Sequence, residues 1–125
     1  MEDIYQDQRE MCLLYGAQYM AVSDDLIIGV SDDVQEGVSP IHGLRYMYKD
    51  SMAGWFLWTG AWQEREDFFK PMHVRHVRED FPDLIKYLGL APGWRFLWSP
   101  KADEVWYDAS LLKLEEDSLS KRSGV

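Results

Sequence analysis

The residues of this chain most suited to chemistry are two histidines three positions apart, His73 and His76. On a helix, side chains at positions i and i+3 lie on one face and can converge on one metal ion. Arg75 and Arg78 stand beside them, however, and would repel a divalent cation. The H-E-x-x-H pattern of zinc proteases is also missing. We therefore predict no metal site and interpret both histidines as surface or hydrogen-bonded side chains.

Nucleophiles and phosphate-binding loops are equally hard to find. Cys12, the only cysteine, lies in an apolar helical stretch, where a thiol usually packs and does not react. The sequence contains neither a G-x-S-x-G elbow nor a glycine-rich phosphate cradle. A glycosidase would need two carboxylates across a cleft, and spacing along the chain does not indicate such a pair. We predict that the protein is not an enzyme, with no catalytic residue and no cofactor.

Acidic residues dominate the charge. The chain of 125 residues has 22 Asp and Glu against 13 Lys and Arg, a net charge of −9. Residues 1–62 carry −7 of this charge. Such a chain repels nucleic acid, because phosphate contacts supply most non-specific affinity. A solvated, solubilising surface is one interpretation, and a landing face for a basic protein is the other. The acids predicted to form that face are Asp24, Asp25, Asp32, Asp33 and Glu36.

Aromatic residues make up 14% of the sequence, including six tryptophans. Trp and Tyr are frequent hot spots of protein interfaces, although many of them also build cores. The tryptophans predicted as possible anchors for a partner are Trp58, Trp62 and Trp106. An alternative function is a small regulatory or ligand-binding module that holds a sugar or metabolite on an aromatic sheet face.

The elements that must position these residues indicate an α+β fold, in which an antiparallel sheet packs against one or two helices. Helices are predicted over 2–20 and 81–88, and strands over 26–30, 44–49, 55–59, 94–99 and 104–108. Loops are predicted over 37–43 and 60–72. The similar segments GWFLW at 54–58 and GWRFLW at 93–98 indicate two related strands, each entered through a glycine. Residues 1–114 are expected to form a single domain, followed by a polar, flexible tail over 115–125.

The expected compartment is the cytoplasm. A single cysteine forms no intramolecular disulfide, which is typical of a reducing environment. No apolar run approaches the roughly 20 residues of a membrane helix. The first ten residues also lack the basic and apolar regions of a signal peptide. We predict no contact with membrane or nucleic acid, and the oligomeric state is left open.

Five motifs spread over residues 40–108 resemble one known family. They read PIHGLR at 40–45, GWFLWTG at 54–60, FFKPMHV at 68–74, LGLAPGWRFL at 88–97 and VWYD at 105–108. Together and in this order, they are similar to the thirty-third family of immunity proteins of bacterial polymorphic toxin systems. The resemblance implies a protein that binds and neutralises a cognate toxin by non-covalent occlusion. It brings no catalytic residues.

Overall fold

The structure, a computed structural model, describes residues 4–35, 38–47 and 51–112. It contains one mixed sheet with short helices, which confirms the predicted α+β class. In chain order the elements are α1 (Ile4–Tyr15), β1 (Ile27–Ser31), α2 (Asp32–Gln35), β2 (Ile41–Arg45), β3 (Met52–Thr59), β4 (Phe69–His73), α3 (Val74–Asp80), a 3-10 helix (Pro82–Tyr87), β5 (Trp94–Ser99) and β6 (Ala102–Tyr107). The predicted tail, 115–125, lies outside the described residues.

The six strands are ordered β4-β1-β3-β2-β5-β6. β1 and β3 run parallel, and every other neighbouring pair is antiparallel. β2 and β3 form a hairpin, with Leu44 opposite Phe56. β5 and β6 form a second hairpin in which Ser99 lies opposite Ala102 across a two-residue turn. The middle of the sheet is therefore β3 and β2, and its edges are β4 and β6.

The first face of the sheet is covered by α1, α3 and the 3-10 helix, and it holds the larger core. Alternation along β3 turns Trp55 and Leu57 toward this core. Arg45 of β2 is also directed there and is only 1% exposed. Its guanidinium donates to the carbonyl oxygens of Met20 and Leu90, each at 2.7 Å. One buried cation thus ties the central strand to the segment after α1 and to the chain entering β5.

The second face carries a smaller aromatic core, called here the second-face cluster. Its members come from the central strands, from the segment leading into β4, and from a helical turn at 110–112: Leu44, Phe56, Trp58, Trp62, Phe68, Phe69 and Leu111. The rings of Trp62 and Phe69 lie 4.8 Å apart, and both contact Phe56. These rings cover the middle of the sheet and leave the β5–β6 side of the same face less covered.

The predicted loop over 37–43 is wrong at its end, because residues 41–43 are the first three residues of β2. The strand predicted over 44–49 instead ends at Arg45, and its last two positions lie outside the described residues. Gly43 is the reason that the loop was predicted to extend to residue 43. A Cβ atom there would lie 2.1 Å from the Phe96 ring, so this glycine serves a close packing contact within a strand.

The predicted loop over 60–72 is wrong in its second part, where Phe69–His73 form β4. Lys70 and Pro71 hide this strand from sequence analysis, since proline is depleted in strands except at edges. β4 exists because it pairs along its whole length with the buried β1. The segment over 72–77 divides into the end of β4 and the start of α3.

Both predicted helices end earlier than predicted. The described part of α1 is Ile4–Tyr15, and it ends before Gly16, which adopts a φ of 69°. The helix predicted over 81–88 is a 3-10 helix over Pro82–Tyr87. β5 is entered through Gly93 as predicted, but β3 already begins at Met52, so Gly54 lies within that strand. Gly54 and Gly93 have φ angles of 92° and 99°. Only glycine adopts such angles without strain.

Candidate functional site

Several loops meet at one end of the sheet, and they carry exposed acids that form no ion pair among the described residues. β1 and β3 are parallel and both end there. The pairing of Ser31 with Phe69 brings the segment that leads into β4 beside the start of α2. Ile41 lies opposite Thr59 and Trp98, so β2 begins at this end and β5 finishes there. Segments far apart in sequence therefore share one surface.

We call four exposed acids of this end, which come from α2 and from the segment before β4, the acidic rim: Asp32, Asp33, Glu64 and Glu66. Among the described residues, none of the four forms an ion pair. The neighbouring Asp67 is paired with Arg65 at 2.9 Å. Glu36, which was predicted to belong to the same surface, lies outside the described residues. The rim thus concentrates four uncompensated carboxylates on two adjacent segments.

Asp24 and Asp25 lie at the other end of β1, roughly 17 Å away for a strand of this length. Asp24 pairs with Arg78 at 2.8 Å, and Asp25 pairs with Arg75 at 3.1 Å. Both arginines belong to α3 and balance the two carboxylates. Their role in partner binding stays a prediction, but the structure separates them from the acidic rim.

The three predicted tryptophan anchors differ in their surroundings. Trp58 is only 4% exposed and stacks on His42 with ring centroids 5.0 Å apart. Burial, helped by the charge of Arg95, lowers the pKa of His42 and favours the neutral ring in this stack. Trp62 is half-buried against Trp58. These two side chains therefore contribute to packing in the second-face cluster.

Trp106 of β6 is the most exposed of the three predicted anchors, at 37%. The guanidinium of Arg95 lies 5.4 Å from its ring centroid and also pairs with Asp108 at 3.2 Å. The arginine thereby holds the indole against the sheet and leaves its other side to solvent. Of the tryptophans selected from sequence, Trp106 is the one most accessible to solvent, and its role as an anchor stays a prediction.

The groups first considered for catalysis are poorly arranged for it. The rings of His73 and His76 are 6.0 Å apart and exposed. In the part of the chain that the structure describes, no group of three His, Cys, Asp or Glu side chains is placed to hold a metal ion. Cys12 is buried, its thiol directed at the carbonyl oxygen of Gly89 at 3.6 Å. Burial raises the pKa of this thiol and disfavours the reactive thiolate.

Sequence analysis missed a buried tyrosine that is tied to an acid of β6. The Tyr87 hydroxyl donates to Asp103 at 2.5 Å. Burial first, and then the Asp103 carboxylate, raises the pKa of Tyr87 far above its ordinary value. No local pattern indicates this pair, because the residues come from different elements. It anchors the start of the edge strand β6 to the 3-10 helix.

Replacing Tyr87 by phenylalanine is expected to lower the free energy of unfolding by about 1–2 kcal/mol at neutral pH, since one hydrogen bond to a charged group is lost. The folded state holds the neutral phenol more strongly than the unfolded state does. The stability that Tyr87 contributes is therefore complete below about pH 10, and it declines as the pH rises above that value. Urea unfolding at neutral pH and above pH 10 checks this. An equally steep alkaline loss in Y87F would contradict it.

None of the helices in the described ranges is both long and apolar enough to cross a membrane. No curated protein and no solved structure matches this sequence. A family model does match, the Imm33-like domain, over residues 7–108. The match extends the resemblance seen over 40–108 to include most of α1 and all of β1, and it contains the whole sheet and the acidic rim. The chain belongs to the family of Imm33-like domains.

Proposed function

We propose that this chain is a bacterial immunity protein, which binds a cognate toxin without covalent chemistry and neutralises it by occlusion. The observation that carries the proposal is membership of the Imm33-like family over residues 7–108. We also propose that it acts in the cytoplasm. That compartment is reducing, which suits a protein whose single cysteine forms no intramolecular disulfide. The proposed role is stoichiometric binding and not catalysis.

The acidic rim supports a basic partner. None of its four carboxylates forms an ion pair among the described residues, so their field extends into solvent. Such a field steers a positively charged protein into encounter and raises its association rate. A toxin that cleaves nucleic acid has a basic surface for phosphate, which carboxylates can occupy in place of the substrate. Trp106 and the uncovered side of the second face add apolar contact area.

The structure gives less support to the alternative function, a sugar- or metabolite-binding module. Its aromatic platform would include Phe56 and Trp58, and Trp62 packs over both rings. A thermal-shift screen with saccharides and nucleotides tests this alternative, because a ligand of the folded state raises the melting temperature.

Co-expression with the toxin encoded next to this gene is the direct test. We expect rescue of growth and a stable complex on size-exclusion chromatography. In vitro, residual toxin activity should fall linearly with added protein and reach zero at equimolar amounts, because occlusion inactivates one toxin per molecule. Absence of both rescue and complex would refute the proposal. Protection at far below equimolar amounts would indicate an enzyme that modifies the toxin.

A further inference from the structure

We propose that β6 is a docking edge, to which an extended basic segment of the partner adds as a further strand of the sheet. This inference rests on the proposed function in taking the partner to be a protein. It concerns the mode of docking and the chemistry of the segment. Strand addition uses main-chain hydrogen bonds for affinity and alternate side chains for specificity.

The hydrogen-bond pattern of β6 leaves one row of backbone groups directed outward. The amide of Asp108 donates to the carbonyl of Gly93 at 2.7 Å, which makes these two residues a hydrogen-bonded pair. Such pairs alternate along an antiparallel ladder. In the register of β5 and β6, Ala102, Glu104 and Trp106 therefore bond to β5. The N–H and C=O groups of the other three residues point away from the sheet: Asp103, Val105 and Tyr107.

No other strand in the described ranges pairs with this side of β6. The strand is six residues long, contains no proline, and keeps a continuous register with β5. A long regular edge with exposed backbone groups is a template for another strand, and proteins usually block such edges. Within the described residues neither a strand nor a proline blocks this edge, and its protection rests on the charges of Asp103 and Glu104, which a basic strand would neutralise.

The opposite edge of the same sheet is blocked. The amide of Val74 donates to the carbonyl of Leu26 at 2.9 Å, so alternate residues of β4 bond to β1. The register of β4 and β1 then directs the nitrogen of Pro71 outward. Proline has no N–H, so a strand arriving at β4 would lose a hydrogen bond at the centre of the edge. Val105 occupies the equivalent central position in β6 and keeps its N–H.

Charge and shape around β6 favour a basic segment as the occupant. Glu104 is exposed and unpaired among the described residues, and Asp103 carries a second negative charge on the same strand. A groove of about 310 Å³ lies beside the strand, and its lining includes Pro40, Leu97 and Ala102. An added strand could place an apolar side chain in this groove and a lysine or arginine next to Glu104. A second copy of this chain fits less well, since each copy carries −9.

Amide hydrogen exchange tests the docking mode residue by residue. In the free protein, the amides of Asp103, Val105 and Tyr107 should exchange quickly, whereas those of Glu104 and Trp106 should be protected. In the complex with the toxin, the first three should become protected. A complex in which these three amides keep exchanging quickly would overturn the inference and leave the proposed function intact. Failure to form any complex would instead refute the proposed function.

A proline at the centre of the edge provides a second test. V105P removes an outward N–H without removing a bond to β5, and it should weaken the complex by about tenfold or more. V105A is the matched control, because it loses the side chain but keeps the amide, and it should bind nearly as the native protein does. Equal affinity of V105P and V105A would contradict strand addition. Circular dichroism checks that V105P and V105A are folded. The amide hydrogen-exchange test uses the native protein and does not depend on either variant.

Peptide probes separate the kinds of occupant. A short peptide of alternating lysine and valine should shift the amide resonances of Asp103, Val105 and Tyr107, whereas its glutamate–valine counterpart should not. Equal shifts with both peptides would overturn the requirement for basic side chains. Light scattering that shows a dimer of the native protein and a monomer of V105P would assign the edge to a second copy instead of a toxin segment.

Discussion

Replacing Arg45 by methionine is expected to lower the free energy of unfolding by about 3–5 kcal/mol, enough to unfold much of a marginally stable domain. Methionine fills part of the space but donates no hydrogen bond. The carbonyl oxygens of Met20, Ala53 and Leu90 would then lose their guanidinium donor inside the core. A buried carbonyl left without a donor destabilises the folded state, because water cannot reach it to replace the lost hydrogen bond.

Urea unfolding monitored by circular dichroism measures this loss. R65M is the matched control, because Arg65 is an exposed arginine whose ion pair with Asp67 lies at the surface. Its stability should change by less than about 0.5 kcal/mol. R45K should be almost as unstable as R45M, since one ammonium cannot span all three carbonyls. A loss below about 1 kcal/mol in R45M would contradict the role assigned to this side chain.

Reversing the charges of Asp32 and Asp33 is expected to slow association with the toxin by about 10–100-fold at low salt. The acidic rim supplies the attraction that steers the encounter, and two lysines there would repel a basic partner. The salt dependence of the association rate should weaken in D32K/D33K, because less attraction remains for salt to screen. Stopped-flow or surface plasmon measurements over a range of salt concentrations provide both quantities.

Two neutralised variants separate a local effect from a change in net charge. D32N/D33N and D24N/D25N remove the same number of charges from opposite ends of β1. We expect the first to slow association more, since Asp24 and Asp25 are already balanced by Arg78 and Arg75. Equal effects of the two variants would mean that only net charge matters. Unchanged kinetics in D32K/D33K would remove the acidic rim from the binding surface.

Most of β3 and all of β5 could be predicted from sequence because their own side chains favour a strand. Both carry apolar and aromatic runs of the kind that is enriched in strands. β4 could not be predicted in this way. Its residues include Lys70 and Pro71, and it is a strand because β1 supplies the hydrogen-bond partners. The first half of β2 was missed for a related reason, since Gly43 makes room for the ring of Phe96.

The candidate surface was predictable only in its parts. Asp32 and Asp33 stand out in sequence as a dense acidic pair, but Glu64 and Glu66 belong to a segment without other distinguishing features. They become one rim because Ser31 pairs with Phe69. Asp24 and Asp25 look equivalent to Asp32 and Asp33 in sequence, and the arginines of α3 distinguish them. Trp58 and Trp106 differ in the same way, one buried between strands and the other on an edge.

The sequence by itself determined the fold class, the acidic balance and the family resemblance, because composition, periodicity and ordered motifs are properties of the chain alone. Tertiary structure decided which carboxylates are paired, which tryptophans are covered and which edge of the sheet has no further strand among the described residues. Each of these depends on partners that are distant in sequence. Pro71 closes one edge and Val105 leaves the other available, a difference that appears only when the register of each edge strand is known.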